Sequence, residues 1–215
     1  MLRFLSIGID CISSIIFVIP AILVLQYLIF RQRNFNQFIE ILVFSLYSIA
    51  VFTVVGIPTV GTFKVNLSFN LLPLIDIVNS PLEYIKNTIL NIILFVPLGF
   101  LVPAIWKNYR SIKIMFLMGF ALSVCIELLQ IFTFRLTDID DLITNTAGAV
   151  LGYYIGKRCS FKLPLKVADN TEDLMKKEPV IILVVMLFIA VFLKPMVSNG
   201  IWAIVLSSSW WEKIK

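Results

Sequence analysis

One apolar stretch of the chain carries polar side chains at helical spacing. Ser123, Glu127, Gln130 and Phe134 follow one another at intervals of four, three and four residues. This spacing places them on one face of an α-helix. Glu127 is the unusual member, because an ionisable group inside an apolar helix is costly unless it is paired, protonated or hydrated. Two interpretations stay open: a working carboxyl group, or a protonated one that only hydrogen-bonds to neighbouring helices.

Asparagine side chains lie at comparable positions on two nearby segments. Asn87 and Asn91 are one helical turn apart and therefore share a face. Asn145 lies in a later segment, one turn after an aspartate. We expect these amides to lie where they can meet Gln130 and Glu127. They either form a polar pocket with them or join helices, at about 0.6 kcal/mol for each hydrogen bond.

The segment from Arg135 to Asp141 gathers one guanidinium and three carboxylates immediately before a helix. One or two of Asp138, Asp140 and Asp141 should cap that helix, because its free amides and positive dipole end favour a negative charge. Arg135 either pairs with a nearby aspartate or donates two hydrogen bonds from its guanidinium group to a phosphate or carboxylate of an external ligand. The spacing contains no octahedral ligand set, so we predict neither a metal site nor a cofactor.

The composition requires a membrane around these residues. Of 215 residues, 60% are hydrophobic and 14% are charged, too few to cover a water-soluble globule. The absence of histidine excludes Ser-His-Asp catalysis and imidazole metal sites. The excess of 18 Lys and Arg over 13 Asp and Glu is typical of membrane loops, and we predict no nucleic-acid partner.

The apolar runs predict an all-α polytopic bundle of about six membrane-embedded helices. We expect these helices over residues 12–30, 38–60, 87–106, 112–134, 142–155 and 180–193. The fifth rises only about 21 Å and barely crosses a hydrocarbon core about 30 Å thick. Residues 62–86 contain two prolines and are expected to form a surface loop with an interfacial segment. Pro195 and Gly200 are expected to end the last helix, leaving residues 201–211 at the interface.

Glycines follow a four-residue repeat in the fifth predicted helix. Gly148, Gly152 and Gly156 are spaced so that another helix can approach closely. Packing is the predicted role of this repeat, and it brings Asn145 and the preceding aspartates against the third and fourth helices.

Basic residues predict the orientation of the chain. With the N-terminus outside, the cytoplasmic loops hold 11 of the 18 Lys and Arg residues. This arrangement places the loop of residues 135–141 on the extracellular face of a multi-pass protein.

Four ordered motifs over residues 66–156 resemble the VanZ-like family. They are Asn70-Leu-Leu-Pro, Asn91-Ile-Ile-Leu-Phe-Val-Pro-Leu-Gly99, Glu127-Leu-Leu-Gln130, and Arg135 followed by Asp138-Ile-Asp-Asp-Leu-Ile-Thr-Asn145-Thr-Ala-Gly148. The family pattern marks these positions here: Asn91, Pro97, Gly99, Glu127, Gln130, Asp138, Asp141, Asn145 and Gly148. Three segments follow: an additional N-terminal helix and basic turn (1–37), a VanZ-like membrane domain (38–193), and a C-terminal interfacial tail (194–215).

The resemblance implies a bacterial plasma-membrane protein of the cell envelope, whose namesake is associated with low-level resistance to the lipoglycopeptide teicoplanin. It implies no known reaction. The leading hypothesis is an outer-leaflet pocket that binds a lipid-linked or acylated glycopeptide-like ligand, with membrane lipids as further partners. Its predicted residues are Asn87, Asn91, Glu127, Gln130, Arg135, Asp138, Asp140, Asp141 and Asn145.

Two other functions stay open. One is an intramembrane enzyme acting on an envelope lipid, with Glu127 or Asp141 as an acid-base residue whose pKa burial could tune. The chain offers no recognisable nucleophile for it. The other is a small transporter or a membrane scaffold. A continuous polar path would favour transport, and a packed core would favour a scaffold.

Overall fold

The structure is a computed structural model, and it describes residues 2–31, 35–65, 69–70, 77, 80–133, 137–159 and 176–207. The chain divides into two units. Unit 1 contains residues 1–62 and 180–215, and unit 2 contains residues 63–179. The fold class is all-α, which confirms the prediction from composition.

Unit 1 begins with α1 (Leu2–Leu23), which continues as π-helical turns over Val24–Ile29. Helix α2 (Phe35–Val55) follows. Unit 2 contains three long helices and one parallel two-residue strand pair. These are β1 (Phe69–Asn70), α3 (Pro81–Ile105), α4 (Ile112–Gln130), β2 (Thr137–Asp138) and α5 (Ile139–Cys159). The last helical stretch comprises α6 (Glu178–Phe188), π-helical turns (Ile189–Leu193) and α7 (Lys194–Ser207).

Five helical stretches in the described part of the chain are long and apolar enough to cross a membrane. They are Ile7–Ile29, Phe35–Val55, Pro81–Ile105, Ile112–Gln130 and Glu178–Ser207. The chain is therefore a multi-pass membrane protein. The remaining helix, α5, has 21 residues and rises about 31 Å, enough to cross. Its aspartates, asparagine and glycines make it less apolar than the other five.

Several predicted helix bounds are wrong. The first helix begins at Leu2 rather than at residue 12, and the second ends at Val55 rather than at residue 60. The third helix begins at Pro81, inside the expected loop, because proline is favoured at the first helical position, where its missing N–H leaves no bond unmade. Asn87 therefore lies almost two turns inside α3 rather than at its start. The fourth helix ends at Gln130, before Phe134. The fifth extends to Cys159 and is longer than predicted.

Pro195 does not end the last helix, contrary to the prediction. The helical stretch runs through it to Ser207, with π-helical turns directly before it. Proline lacks the N–H that the carbonyl group four residues earlier, on Val191, would accept in an α-helix. The Val191 oxygen accepts instead from the backbone N–H of Val60, at 3.0 Å. A donor from a distant segment thus compensates for the interruption.

An ion pair joins the first and last helices of unit 1. The Lys194 ammonium lies 3.2 Å from Asp10, and the Ser198 hydroxyl donates to the other Asp10 oxygen at 2.7 Å. Asp10 interrupts an apolar run in the sequence, but its partner is 184 residues away and was not predicted. Charges in such helices are tolerated when they are paired, as these are.

Helices α3 and α5 approach each other through glycines. A Cβ atom on Gly152 would overlap the Val96 carbonyl oxygen, and one on Gly148 would lie 2.5 Å from the Ile92 carbonyl oxygen. Gly99 of α3 faces α5 in the same way, at the Ala149 carbonyl group. The predicted close helix contact is therefore confirmed, with α3 as the partner. It fixes the height at which polar side chains on the two helices meet.

Candidate functional site

A short polar contact between α3 and α5 joins an amide to a carboxylate. Asn91 Nδ2 donates to Asp141 Oδ1 at 2.6 Å and lies 3.5 Å from the Thr144 hydroxyl. These side chains are short, so they meet only because the glycine contact holds the two backbones close together. Asn91 and Asp141 were both predicted as site residues, whereas Thr144 was not.

Asp138 occupies the position before α5 and caps it. Its Oδ1 accepts the backbone N–H of Asp140 at 2.9 Å, which satisfies one of the free amides at the helix start. Its Oδ2 accepts from Asn70 Nδ2 at 3.4 Å, beside the parallel pairing of β1 with β2. The predicted capping by this aspartate cluster is confirmed. Asp138 also links the start of α5 to the segment that contains Asn70.

Glu127 holds the start of α5 from the other side. It is 6% exposed, and its Oε2 accepts the backbone N–H of Asp138 at 3.1 Å. Glu127 lies three residues before the end of α4, a rise of about 4.5 Å, whereas the predicted helix over residues 112–134 would place it seven residues, or about 10 Å, before the end. The positive end of the α5 dipole also stabilises a carboxylate at this position. Glu127 thus connects α4 to the helix start that carries the aspartates.

Asn145 was expected to meet Glu127 or Gln130, but it hydrogen-bonds to Ser123 instead. Its Nδ2 donates to the Ser123 hydroxyl at 3.0 Å, and that hydroxyl lies 3.5 Å from the Asp141 carbonyl oxygen. Asn145 Oδ1 is buried and has no hydrogen-bond partner among the described residues. Gln130 is 2% exposed at the end of α4, and its backbone carbonyl oxygen accepts a hydrogen bond from the Thr133 hydroxyl.

A cavity of about 220 Å³ opens between the first half of α3 and the start of α5. Every described side chain that lines it is polar, and four are carboxylates. The lining consists of Ser80, Glu83, Tyr84, Asn87, Thr88, Asn91, Asp138, Asp140, Asp141 and Thr144.

Five predicted site residues line this cavity: Asn87, Asn91, Asp138, Asp140 and Asp141. Three other predicted residues, Glu127, Gln130 and Asn145, are buried outside the lining. Arg135 lies outside the described residues, so its predicted role is untested. The predicted set thus separates into side chains that face the cavity and side chains that support the helices around it.

Sequence reasoning missed the cavity residues on the first turns of α3. The predicted surface loop over residues 62–86 includes the first of them, because prolines in that segment indicate a helix break. The signal that could have found them is Ser80 followed by Pro81, a typical helix start. From that start, Tyr84, Asn87 and Asn91 lie at helical spacing on one face.

The lining favours a ligand rich in hydrogen-bond donors. Ionised carboxylates only accept hydrogen bonds, while the amides and hydroxyls both donate and accept. Among the described residues, no group of three or more Cys, Asp or Glu side chains could hold a metal ion. Sugar hydroxyls and ammonium groups are donors that fit such a lining.

A family model described as VanZ/LLP1 matches residues 21–160. The match therefore spans α2 to α5 and includes every residue that lines the cavity. No curated protein and no solved structure gives a significant match to the chain.

Proposed function

The chain belongs to the VanZ/LLP1 family, and on that premise we propose that it confers low-level resistance to lipoglycopeptides of the teicoplanin type. It acts in the plasma membrane of a bacterium, as part of the cell envelope. Its cavity binds the polar part of a lipid-linked or acylated ligand, and the apolar part of that ligand stays in the membrane. Family membership supports the type of protein, and the cavity supports binding.

The polar cavity carries this proposal. Ten polar residues from two helices and the segments before them converge there, held by the Asn91–Asp141 and Asn70–Asp138 contacts. A cavity whose described lining residues are all polar suits a head group made of sugars or amines rather than an acyl chain. Its ligand would therefore expose its acyl chain to the surrounding lipid.

Binding is favoured over acid-base catalysis because the chain offers no recognisable nucleophile. Asp141 lines the cavity, but Glu127 does not. Of the two candidate acid-base residues, Asp141 is therefore the one within reach of a ligand in the cavity. Glu127 instead contacts the backbone of Asp138, which is a positioning role.

The test compares Asp141→Asn with Glu40→Gln, a carboxyl-to-amide change on α2, outside the cavity. The wild-type chain, expressed in a teicoplanin-susceptible Gram-positive host, should raise the inhibitory concentration of teicoplanin. Asp141→Asn keeps an acceptor for Asn91 but removes the charge. We expect it to weaken ligand binding roughly tenfold or more, since hydrogen bonds to charged groups contribute about 1.5–3 kcal/mol.

Glu40→Gln should keep wild-type resistance. Mass spectrometry of lipids that co-purify with each variant provides the second measurement. Equal resistance and equal co-purified lipid for wild type and Asp141→Asn, at matched protein levels, would refute the cavity as the binding site.

The orientation predicted from the basic residues, with the N-terminus and the segment after α2 outside the cell, gives a separate prediction. In a variant whose three cysteines are replaced by serine, we expect Val65→Cys to react with a membrane-impermeant maleimide in intact cells. Asn108→Cys, equally exposed in the chain between α3 and α4, should react only after lysis. Labelling at position 108 from outside would reverse the orientation.

A further inference from the structure

Basic side chains gather at the end of unit 2 that lies opposite the cavity. The Tyr153 hydroxyl lies 3.4 Å from the Arg110 carbonyl oxygen, and the Tyr109 hydroxyl donates to the Lys176 carbonyl oxygen at 2.9 Å. These contacts bring together the end of α5, the segment between α3 and α4, and the residues before α6. Their basic side chains form the basic end of unit 2: Lys107, Arg110, Lys113, Lys157, Arg158, Lys176 and Lys177.

An apolar groove of about 480 Å³ begins at this basic end, on the surface of α4 and α5. It is lined by Ile112, Lys113, Phe116, Leu117 and Val150, and among these described residues Lys113 is the one with a charge. Phe116 is 48% exposed and Leu117 is 61% exposed. The groove is therefore an apolar surface with a cation at its edge.

We propose that this groove binds an acyl chain of an anionic phospholipid, whose phosphate pairs with Lys113. Charge complementarity identifies the occupant, because basic pockets between helices at a membrane surface attract anionic head groups. The apolar stem of Lys113 lies along the groove while its ammonium group reaches the head-group level. The neighbouring basic residues add to the positive potential. A zwitterionic lipid offers the same acyl chain without the net charge.

This site is separate from the cavity and its ligand. The groove involves the first turns of α4 and the second half of α5, whereas the cavity involves α3 and the start of α5. Loss of lipid at the groove and loss of resistance through the cavity are thus independent outcomes.

Native mass spectrometry of the full chain tests the proposal. The protein is released from detergent micelles that contain equal amounts of dioleoylphosphatidylglycerol and dioleoylphosphatidylcholine. We expect the wild type to retain phosphatidylglycerol preferentially. Lys113→Gln should lower the affinity for phosphatidylglycerol about fivefold, as expected for one basic residue near a lipid surface. Lys113→Arg should retain it, and Leu117→Trp should fill the groove and abolish retention.

Two variants serve as matched controls. Lys86→Gln removes an exposed charge from the first half of α3, and Leu128→Trp adds an indole to an exposed position near the other end of α4. Both should retain phosphatidylglycerol like the wild type. If Leu117→Trp fails to fold, the Lys113 pair still decides the result.

Three results would overturn the proposal. They are equal retention of both lipids by the wild type, unchanged affinity in Lys113→Gln, and displacement of the lipid by glycerol 3-phosphate. The last would mean that the basic end binds a free phosphate rather than a lipid.

Discussion

Gly152→Leu is expected to separate α3 from α5 and to destabilise the protein by roughly 3 kcal/mol, near the upper end of overpacking costs. The reason is that the neighbouring atoms are backbone. The first atom of any side chain at position 152 would already overlap the Val96 carbonyl group. A backbone carbonyl cannot change rotamer, so one of the two helices must move. Thermal unfolding in detergent measures the loss.

Gly200→Ala and Gly119→Leu are the controls for this effect. A Cβ on Gly200 meets nothing within 4 Å, so alanine there should be neutral or stabilise the helix by up to about 1 kcal/mol. A Cβ on Gly119 meets the Ala149 side chain at 2.6 Å, and the cost should lie between the other two. Equal melting losses for Gly152→Leu and Gly119→Leu would contradict the idea that backbone contact dominates.

Glu127 should separate folding from function when it is replaced by glutamine and by leucine. Glutamine keeps the length and an oxygen that accepts the Asp138 N–H, so we expect stability within about 1 kcal/mol of wild type, the usual size of a dipole interaction. Leucine leaves that N–H without this acceptor, which should cost about 1–3 kcal/mol. Glutamine also removes the negative charge, and we expect resistance to be lost with it.

The readout is teicoplanin susceptibility at matched protein levels, together with melting temperature. The charge is expected to matter because Glu127 lies beside Asp138, whose side chain lines the cavity, so a negative charge there adds to the negative potential of the cavity even though glutamine keeps the hydrogen bond. Full resistance in Glu127→Gln would assign the carboxyl group a structural role and remove it from the proposed mechanism.

Local signals predicted much of the site. The spacing of Asn87 and Asn91 placed them on one face, and both line the cavity. The aspartates before α5 were predicted to cap it, and Asp138 does. The glycine repeat predicted a close helix contact. In each case the physical cause lies within one or two turns of a single helix, so the sequence alone carries it.

Contacts between helices were predicted less well, because they depend on relative height. Asn145 was expected to meet Glu127 or Gln130 but bonds to Ser123, one turn before Glu127. That offset depends on how α4 packs against α5, which no local pattern in either helix predicts. The Asp10–Lys194 pair shows the same limit, since no local pattern links residues so far apart.

Two prolines that were predicted to be helix breakers, Pro81 and Pro195, lie within helices for different reasons, while Pro73 lies outside the described residues. Pro81 occupies the first turn, where no intrahelical N–H is needed. Pro195 lies inside a helical stretch, where the carbonyl group of Val191 finds another donor. A rule for an isolated helix thus explains Pro81, whereas Pro195 depends on a contact with another segment of the chain.

The hydrogen bond from Val60 to Val191 makes Pro195 a determinant of a segment that lies elsewhere in the chain. In apolar surroundings a carbonyl group that loses its helical donor must be compensated, and a loop amide that meets it is held at a defined position. A residue with an N–H at position 195 would compete with Val60 for the same oxygen. The course of the chain after α2 therefore depends partly on the absence of a backbone N–H at Pro195 in α7, more than 130 residues later in the sequence.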